Sequence, residues 1–236
     1  MNRLARRAIF FDFDSIAAGG ERVTRQVFRK FAAAFGQPTD SAEFAALDGA
    51  PAPILIAKAK RDWSLTQKLD ELLRLYDTMM DAALLALLPA QAAAAAFNAA
   101  SQNGWKLGIV TSMTGARSRA WLGRHGLAPL VDIVIGGDDV CLGKPEPEPY
   151  LMALARSGCP RDAALAVEGS LAGARSALAA GLRTFGLAPE GREPIAWPEP
   201  VRLVDTLDEL MPELSGQRFR GGGALRRARP RAAALG

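Results

Sequence analysis

The chain has 236 residues, 49% of them hydrophobic and 23% charged, a balance that excludes wholesale disorder and suits one domain or a core plus an insert. Its net charge is +4, but the tail Ser215–Gly236 carries six arginines and no acid; without that tail 23 basic residues face 25 acidic ones, so the body has no bias towards nucleic acid. Two cysteines, Cys141 and Cys159, exclude a disulfide framework and a paired-cysteine zinc site, and a single histidine, His125, excludes any site built on two imidazoles.

Arg3, Arg6 and Arg7 precede apolar residues, but the run Ala8–Phe11 meets Asp12 and Asp14 too early for a secretory signal. Ala8-Ile9-Phe10-Phe11 reads instead as a short strand buried on both faces. A helix over Glu21–Phe35 follows, with Val23, Val27, Phe28, Phe31 and Phe35 on one face and Gly36 ending it. Residues 40–88 read as wholly helical, with Asp40 or Ser41 capping one helix and Thr66 another. Leu65, Leu69, Leu72, Leu73, Tyr76, Met79, Met80 and Ala83 give that segment a long apolar stripe.

Ala82–Trp105 carries no charge. Pro89 splits it, and Gln91, Asn98, Gln102 and Asn103 interrupt it, so it reads as two helices meeting at Pro89 rather than a membrane span. After a helix ending near Gly104, strands at Leu107–Val110, Val131–Ile135, Ala164–Val167 and Leu182–Phe185 alternate with helices at Ala116–Arg124, Pro147–Arg156 and Leu171–Ala180. Such alternation makes a parallel sheet. The expected fold is therefore α/β, a Rossmann-like parallel-sheet core with a small all-helical cap inserted after the first strand. The division is core 1–18, cap 19–88, core 89–214 and a disordered Arg/Gly-rich tail 215–236, with Gly19-Gly20 as the hinge into the cap. A cytoplasmic location is expected, with no membrane partner and nucleic acid not expected as a ligand of the body.

Ligands of open parallel sheets bind beyond the carboxyl ends of the strands. Here those ends carry Asp12 and Asp14, then Thr111-Ser112, then a loop leading to Lys144, then Glu168. Two aspartates two residues apart on an extended chain leave from one face. A cation can keep one of them ionised as a nucleophile while the other holds a proton as an acid. Lys144 and Thr111 are placed to neutralise and hydrogen-bond phosphoryl oxygens. The set suits phosphoryl transfer without histidine.

The motifs are Phe11-Asp12-Phe13-Asp14-Ser15-Ile16, Ile109-Val110-Thr111-Ser112, Gly143-Lys144-Pro145-Glu146-Pro147 and Val167-Glu168-Gly169-Ser170-Leu171-Ala172-Gly173. In this order and spacing, over roughly residues 7–187, the chain resembles the haloacid dehalogenase superfamily. Its helical insert is similar to the cap of the phosphoglycolate phosphatase, β-phosphoglucomutase and CbbY-like branch. The resemblance implies Asp12 as nucleophile and Asp14 as acid and base. It implies Thr111, Ser112 and Lys144 around the phosphoryl group, and Mg2+ held by Asp12, Asp14 (through its main-chain carbonyl) and Glu168. The activity it implies is a magnesium-dependent phosphatase of a small phosphorylated metabolite, a sugar phosphate or phosphoglycolate-like acid, working through an aspartyl-phosphate.

Three departures bear on that expectation. The acidic motif usually reads Glu-Asp-Ser in this branch, and here it is Glu168-Gly169-Ser170. The usual Asp-Gly-Thr of the first motif is Asp14-Ser15-Ile16, and the Asp-Ser that normally follows is Gly19-Gly20. The mutase branch carries a cap arginine after a glycine like Gly49, where this chain has Ala50-Pro51-Ala52. The last departure disfavours a mutase. The first supports an alternative, a catalytically impaired relative kept for binding or regulation.

Overall fold

The computed structural model describes residues 7–18, 23–38, 50–187 and 196–215. The proposed caps Asp40 and Ser41, the hinge Gly19-Gly20 and nearly all of the arginine tail lie outside the described residues.

Six strands form one parallel sheet: β1 Arg7–Asp12, β2 Trp105–Val110, β3 Ile133–Ile135, β4 Ala164–Glu168, β5 Arg183–Leu187 and β6 Arg202–Val204. Their order is β3-β2-β1-β4-β5-β6. The chain builds outward from β1 in one direction through β2 and β3, then returns to the other side through β4. β1 is thus the point where the winding reverses, the place at which open parallel sheets leave a crevice beyond their carboxyl ends. Its register sets Asp12 beside Val110 and Phe11 beside Val167, which brings Asp12 level with Glu168.

The central strands are apolar on both faces through their middles because helices cover both faces. On one face Ile9, Phe11, Leu107, Ile109, Leu165 and Val167 pack against Phe97 of α5 (Ala93–Gln102) and Trp121 and Leu122 of α6 (Gly115–Arg124). On the other, Ala8, Phe10, Val110, Ala164 and Ala166 meet Tyr150, Ala153 and Leu154 of α7 (Glu148–Ser157) and Ala177 of α8 (Leu171–Ala179). The small residues of this second face let the helices approach closely. By the two-residue alternation of a strand, Asp12 and Glu168 belong to this second face.

Between β1 and α5 the described residues form a single turn, α1 (Phe13–Ile16), then α2 (Val23–Ala34), α3 (Ala52–Asp62) and α4 (Leu69–Ala86). Val27, Phe28 and Phe31 of α2 face Leu72, Tyr76 and Met80 of α4 in one buried cluster. Phe31 meets Tyr76 edge-on, with ring centroids 6.0 Å apart, and Phe28 stacks on Trp63 at 5.7 Å. The segment is not helical throughout, because Ser64–Lys68 is a loop. The residue capping α4 is Lys68 rather than Thr66: its backbone N–H donates to the Glu71 carboxylate at 3.1 Å. The polar first turn that Asp70 and Glu71 supply moves the helix start two residues past the threonine.

Chain entry and exit from these helices run side by side. Ala18 N donates to Leu88 O at 2.7 Å, Ala90 N donates to Ile16 O at 2.8 Å, and Ala17 bridges Pro89. Pro89 therefore lies in an extended two-chain ribbon, and among the described residues no helix is long and apolar enough to cross a membrane.

β6 is not visible in the sequence reading. It has three residues, Arg202-Leu203-Val204, and continues the sheet beside β5. Beyond it a 3-10 turn, Leu207–Leu210, and α9 (Met211–Leu214) close the core under α5, with the Trp105 indole donating to Leu214 O at 3.0 Å.

Candidate active site

Lys144 is the hub of the site. Its ammonium donates to Asp12 Oδ1 at 2.7 Å and to Val110 O at 3.0 Å, and pairs with Glu168 Oε1 at 2.6 Å. An ammonium has three N–H groups, and the three acceptors account for all of them. All three side chains are buried. The loop that delivers Lys144 is itself anchored. Glu148, the first residue of α7, accepts from the N–H groups of Cys141 and Leu142 at 2.9 and 2.7 Å. Ser176 of α8 holds Glu146 O from the other side at 2.5 Å.

Glu168 has further partners. The Tyr150 hydroxyl donates to Oε1 at 2.5 Å, and Ser170 Oγ donates to Oε2 at 3.2 Å. The same Ser170 oxygen accepts from Gly173 N at 3.0 Å and so caps α8. A Cβ at Gly173 would stand 2.0 Å from Glu168 Oε2 and 2.1 Å from Oε1, so the glycine is what lets the carboxylate lie across the start of the helix.

Burial pulls the Lys144 ammonium towards its neutral form, but the charges of Asp12 and Glu168 outweigh it and hold its pKa above the ordinary lysine value. Burial, then the Asp12 charge, raise the Glu168 pKa, against the pull of Lys144 and Tyr150. The cluster thus holds two acids on one retained positive charge.

Asp14 sits in α1, one step past the strand. Its Oδ1 accepts from the N–H of Val23 at 3.2 Å, which turns it towards the first long helix of the insert. Thr111 is buried, and its Oγ1 accepts from Met113 N at 3.1 Å. It does not cap the following helix; Thr114 does, accepting from Arg117 N at 3.4 Å. Ser112 Oγ is buried without a hydrogen-bond partner among the described residues. The turn beneath it is glycine for want of space: a Cβ at Gly137 would stand 2.4 Å from Ser112 O. Asp139 closes this turn, accepting from Gly136 N at 2.8 Å and from Arg156 at 3.0 Å; the Gly136 N–H, then Arg156, hold its carboxyl below the ordinary value against partial burial.

The structure thus joins Asp12, Lys144 and Glu168 through the Lys144 ammonium, and sets Asp14 in the turn after β1 and Thr111 and Ser112 just after β2. Sequence reasoning passed over Tyr150 and Gly173. Tyr150 reads as one more apolar residue of an amphipathic helix, and only the strand register shows which carboxylate lies above it. Gly173 is within the fourth motif, but its reason is the carboxylate that folds back on it.

A metal would have to draw on Asp12, the Asp14 main-chain carbonyl and Glu168. Glu168 already serves Lys144, Tyr150 and Ser170, and the next residue, Gly169, offers no side chain. Among the described residues no three of His, Cys, Asp and Glu stand together as a metal site. Magnesium takes oxygen ligands in near-octahedral order and keeps several waters, so Asp12 and the Asp14 carbonyl could hold it, with Glu168 added only as it gives up Lys144.

A lysine held between two carboxylates at the switch point of a parallel sheet is an arrangement suited to phosphoryl-transfer chemistry. The chain belongs to the haloacid dehalogenase-like hydrolase family, whose model matches residues 9–187. It is 32% identical to protein CbbY of Rhodobacter capsulatus over 199 residues, covering 75% of this chain and 83% of that protein. It is 35% identical to the phosphoglycolate phosphatase of Salmonella choleraesuis over 118 residues, about half of each chain. The crystal structure of CbbY from Rhodobacter sphaeroides with phosphate superposes with a TM-score of 0.70 at 26% identity, over 87% of this chain and 96% of that one. The protein is accordingly a phosphoric monoester hydrolase of the CbbY and phosphoglycolate phosphatase type. Phosphatases of this family generally use Mg2+.

Proposed function

We propose that the protein hydrolyses the monoester of a small phosphorylated metabolite, a sugar phosphate or phosphoglycolate-like acid, through an aspartyl-phosphate on Asp12. The observation that carries this reading is the buried ammonium of Lys144, 2.7 Å from Asp12 Oδ1 at the end of the central strand. Lys144 keeps Asp12 ionised and ready to attack. The carboxylate attacks phosphorus as the ester oxygen leaves, and Asp14 donates a proton to that oxygen. Asp14, now ionised, takes a proton from a water that attacks the acyl phosphate, releasing orthophosphate and regenerating Asp12. Lys144 and the hydroxyls of Thr111 and Ser112 neutralise and bind phosphoryl oxygens; Ser112 Oγ, buried without a protein partner among the described residues, is the donor most directly available.

For magnesium we propose weak binding by Asp12 and the Asp14 carbonyl, Glu168 joining only on leaving Lys144. Bound there, it would add positive charge beside the phosphoryl oxygens. The relatives point to the substrate class, since one structural neighbour is CbbY of Rhodobacter sphaeroides in complex with xylulose-(1,5)bisphosphate. A cytoplasmic location fits the same reading.

The test is hydrolysis of p-nitrophenyl phosphate and a panel of sugar phosphates, with and without magnesium, by wild type and Asp12→Asn. The expected result is turnover that falls by roughly 10⁴-fold in the variant, the scale of a lost nucleophile. Gly169 supports a second reading, a phosphate-binding relative without turnover. Orthophosphate binding with no hydrolysis across the panel would establish it.

A further inference from the structure

The Tyr150 phenol takes no part in the chemistry proposed above, yet it is built into the same cluster. Its ring is fully buried where α7 packs on the sheet, 6.4 Å from the Phe10 ring of β1. A buried phenol needs an acceptor, and this one has taken a carboxylate oxygen that is already in use. Glu168 Oε1 receives the Tyr150 hydroxyl at 2.5 Å and the Lys144 ammonium at 2.6 Å. The Lys144 nitrogen also lies 5.6 Å from the centre of the Tyr150 ring, so the tyrosine flanks the pair with both its hydroxyl and its face.

Glu168 is thereby tied at both oxygens, to Tyr150 on one and Ser170 on the other. Its carboxylate cannot rotate without breaking one of these bonds. That fixes where Lys144 finds its lateral acceptor. Were Glu168 free to turn, the ammonium would lose one of its three acceptors and its charge would rest on Asp12 alone, making the nucleophile a weaker one. We infer that Tyr150 is a positioning residue, which pins Glu168 so that Lys144 stands between two carboxylates and leaves Asp12 able to react. The inference rests on the phosphatase reading for its kinetic consequence, not for its geometry.

Two measurements on the full chain test it. Tyr150→Phe keeps the ring and removes one hydroxyl. In the kinetic arm kcat should fall about tenfold, the scale of one hydrogen bond to a charged group, with KM little changed because Tyr150 does not touch substrate. In the second arm the lysine Nζ resonances of ¹⁵N-lysine protein are recorded. A buried ammonium with three acceptors gives a slowly exchanging signal, identified by its loss in Lys144→Arg, and it should broaden in Tyr150→Phe. If that variant does not fold, Glu168→Gln, which keeps the phenol and removes the charge it pins, should broaden the same signal. A Lys144 signal unchanged in the variant that folds overturns the inference, whatever the rate does. Absence of turnover in the wild type would sink the phosphatase reading alone, because the resonance still decides the role of Tyr150.

Discussion

Gly173→Ala should be destabilising, although at an ordinary helical position the same change stabilises. Alanine is favoured over glycine inside a helix by about 1 kcal/mol. Gly123, exposed near the end of α6 with nothing within 4 Å of an added Cβ, should show that gain, or most of it. At Gly173 the added carbon would stand 2.0–2.1 Å from three atoms of the Glu168 carboxyl, well inside any contact a real Cβ makes. Glu168 cannot step aside cheaply, because Lys144, Tyr150 and Ser170 hold it. Overpacking costs about 1–3 kcal/mol, and disturbing a buried ion pair costs about 3–5 when the pair is broken outright. A net loss of roughly 3 kcal/mol is expected, or about 6–12 °C in melting temperature for a chain of this size. Urea titration and thermal melting of both variants beside wild type are the assay. If Gly173→Ala proved as stable as Gly123→Ala, Glu168 would not lie across the helix start, and the account of the cluster would fall with it.

Other consequences follow from the same contacts. Arg117 of α6 reaches Asp77 and Asp81 of α4, donating to each carboxylate at 2.7 Å and to Asp77 O at 3.3 Å, and so clamps the insert to the core. Arg117→Ala should cost about 1 kcal/mol at low salt, and the difference should shrink in 1 M salt, where the Debye length is about 3 Å; an equal melting temperature at low salt would count against the clamp. Gly169→Asp should tighten magnesium binding at least tenfold by titration calorimetry, because it offers an acidic oxygen where the chain has none; unchanged affinity would locate the metal elsewhere. Burial lowers the Lys144 pKa but its two carboxylates raise it further, so its contribution to stability is fully present below about pH 10.4 and is lost only as pH rises through the higher folded value. Lys144→Met should therefore lose roughly 3–5 kcal/mol across the whole range from pH 7 to 10, measured by urea titration, and a loss that disappears by pH 9 would contradict the retained charge.

Strands β1 to β5, their parallel direction and the strand-end positions of Asp12, Thr111 and Glu168 could be read from the chain because apolar runs ending in those residues are local patterns. β6 could not: three residues just after Pro198 and Pro200 carry too little periodicity, and their pairing with β5 is a tertiary fact. The capping of α4 by Lys68 instead of Thr66 shows a backbone N–H finding Glu71 where the side-chain rule looked for a hydroxyl. Thr114 rather than Thr111 caps the helix after β2, because Thr111 turns its oxygen to Met113. Arg117 and Tyr150 escaped notice for one reason. Each reads as routine on its own helix, a solvated charge and a core aromatic, and acquires its meaning from partners 36 to 40 and 18 residues away.

The paired crossing at Ile16–Ala18 and Leu88–Ala90 makes everything between it a loop in the topological sense. The chain leaves the sheet layer and re-enters it at one point. β1 finds β2 on one side and β4 on the other whatever lies in that loop, and no strand register depends on its length. The loop can be lengthened, shortened or exchanged while Asp12, Lys144 and Glu168 stay where the sheet puts them.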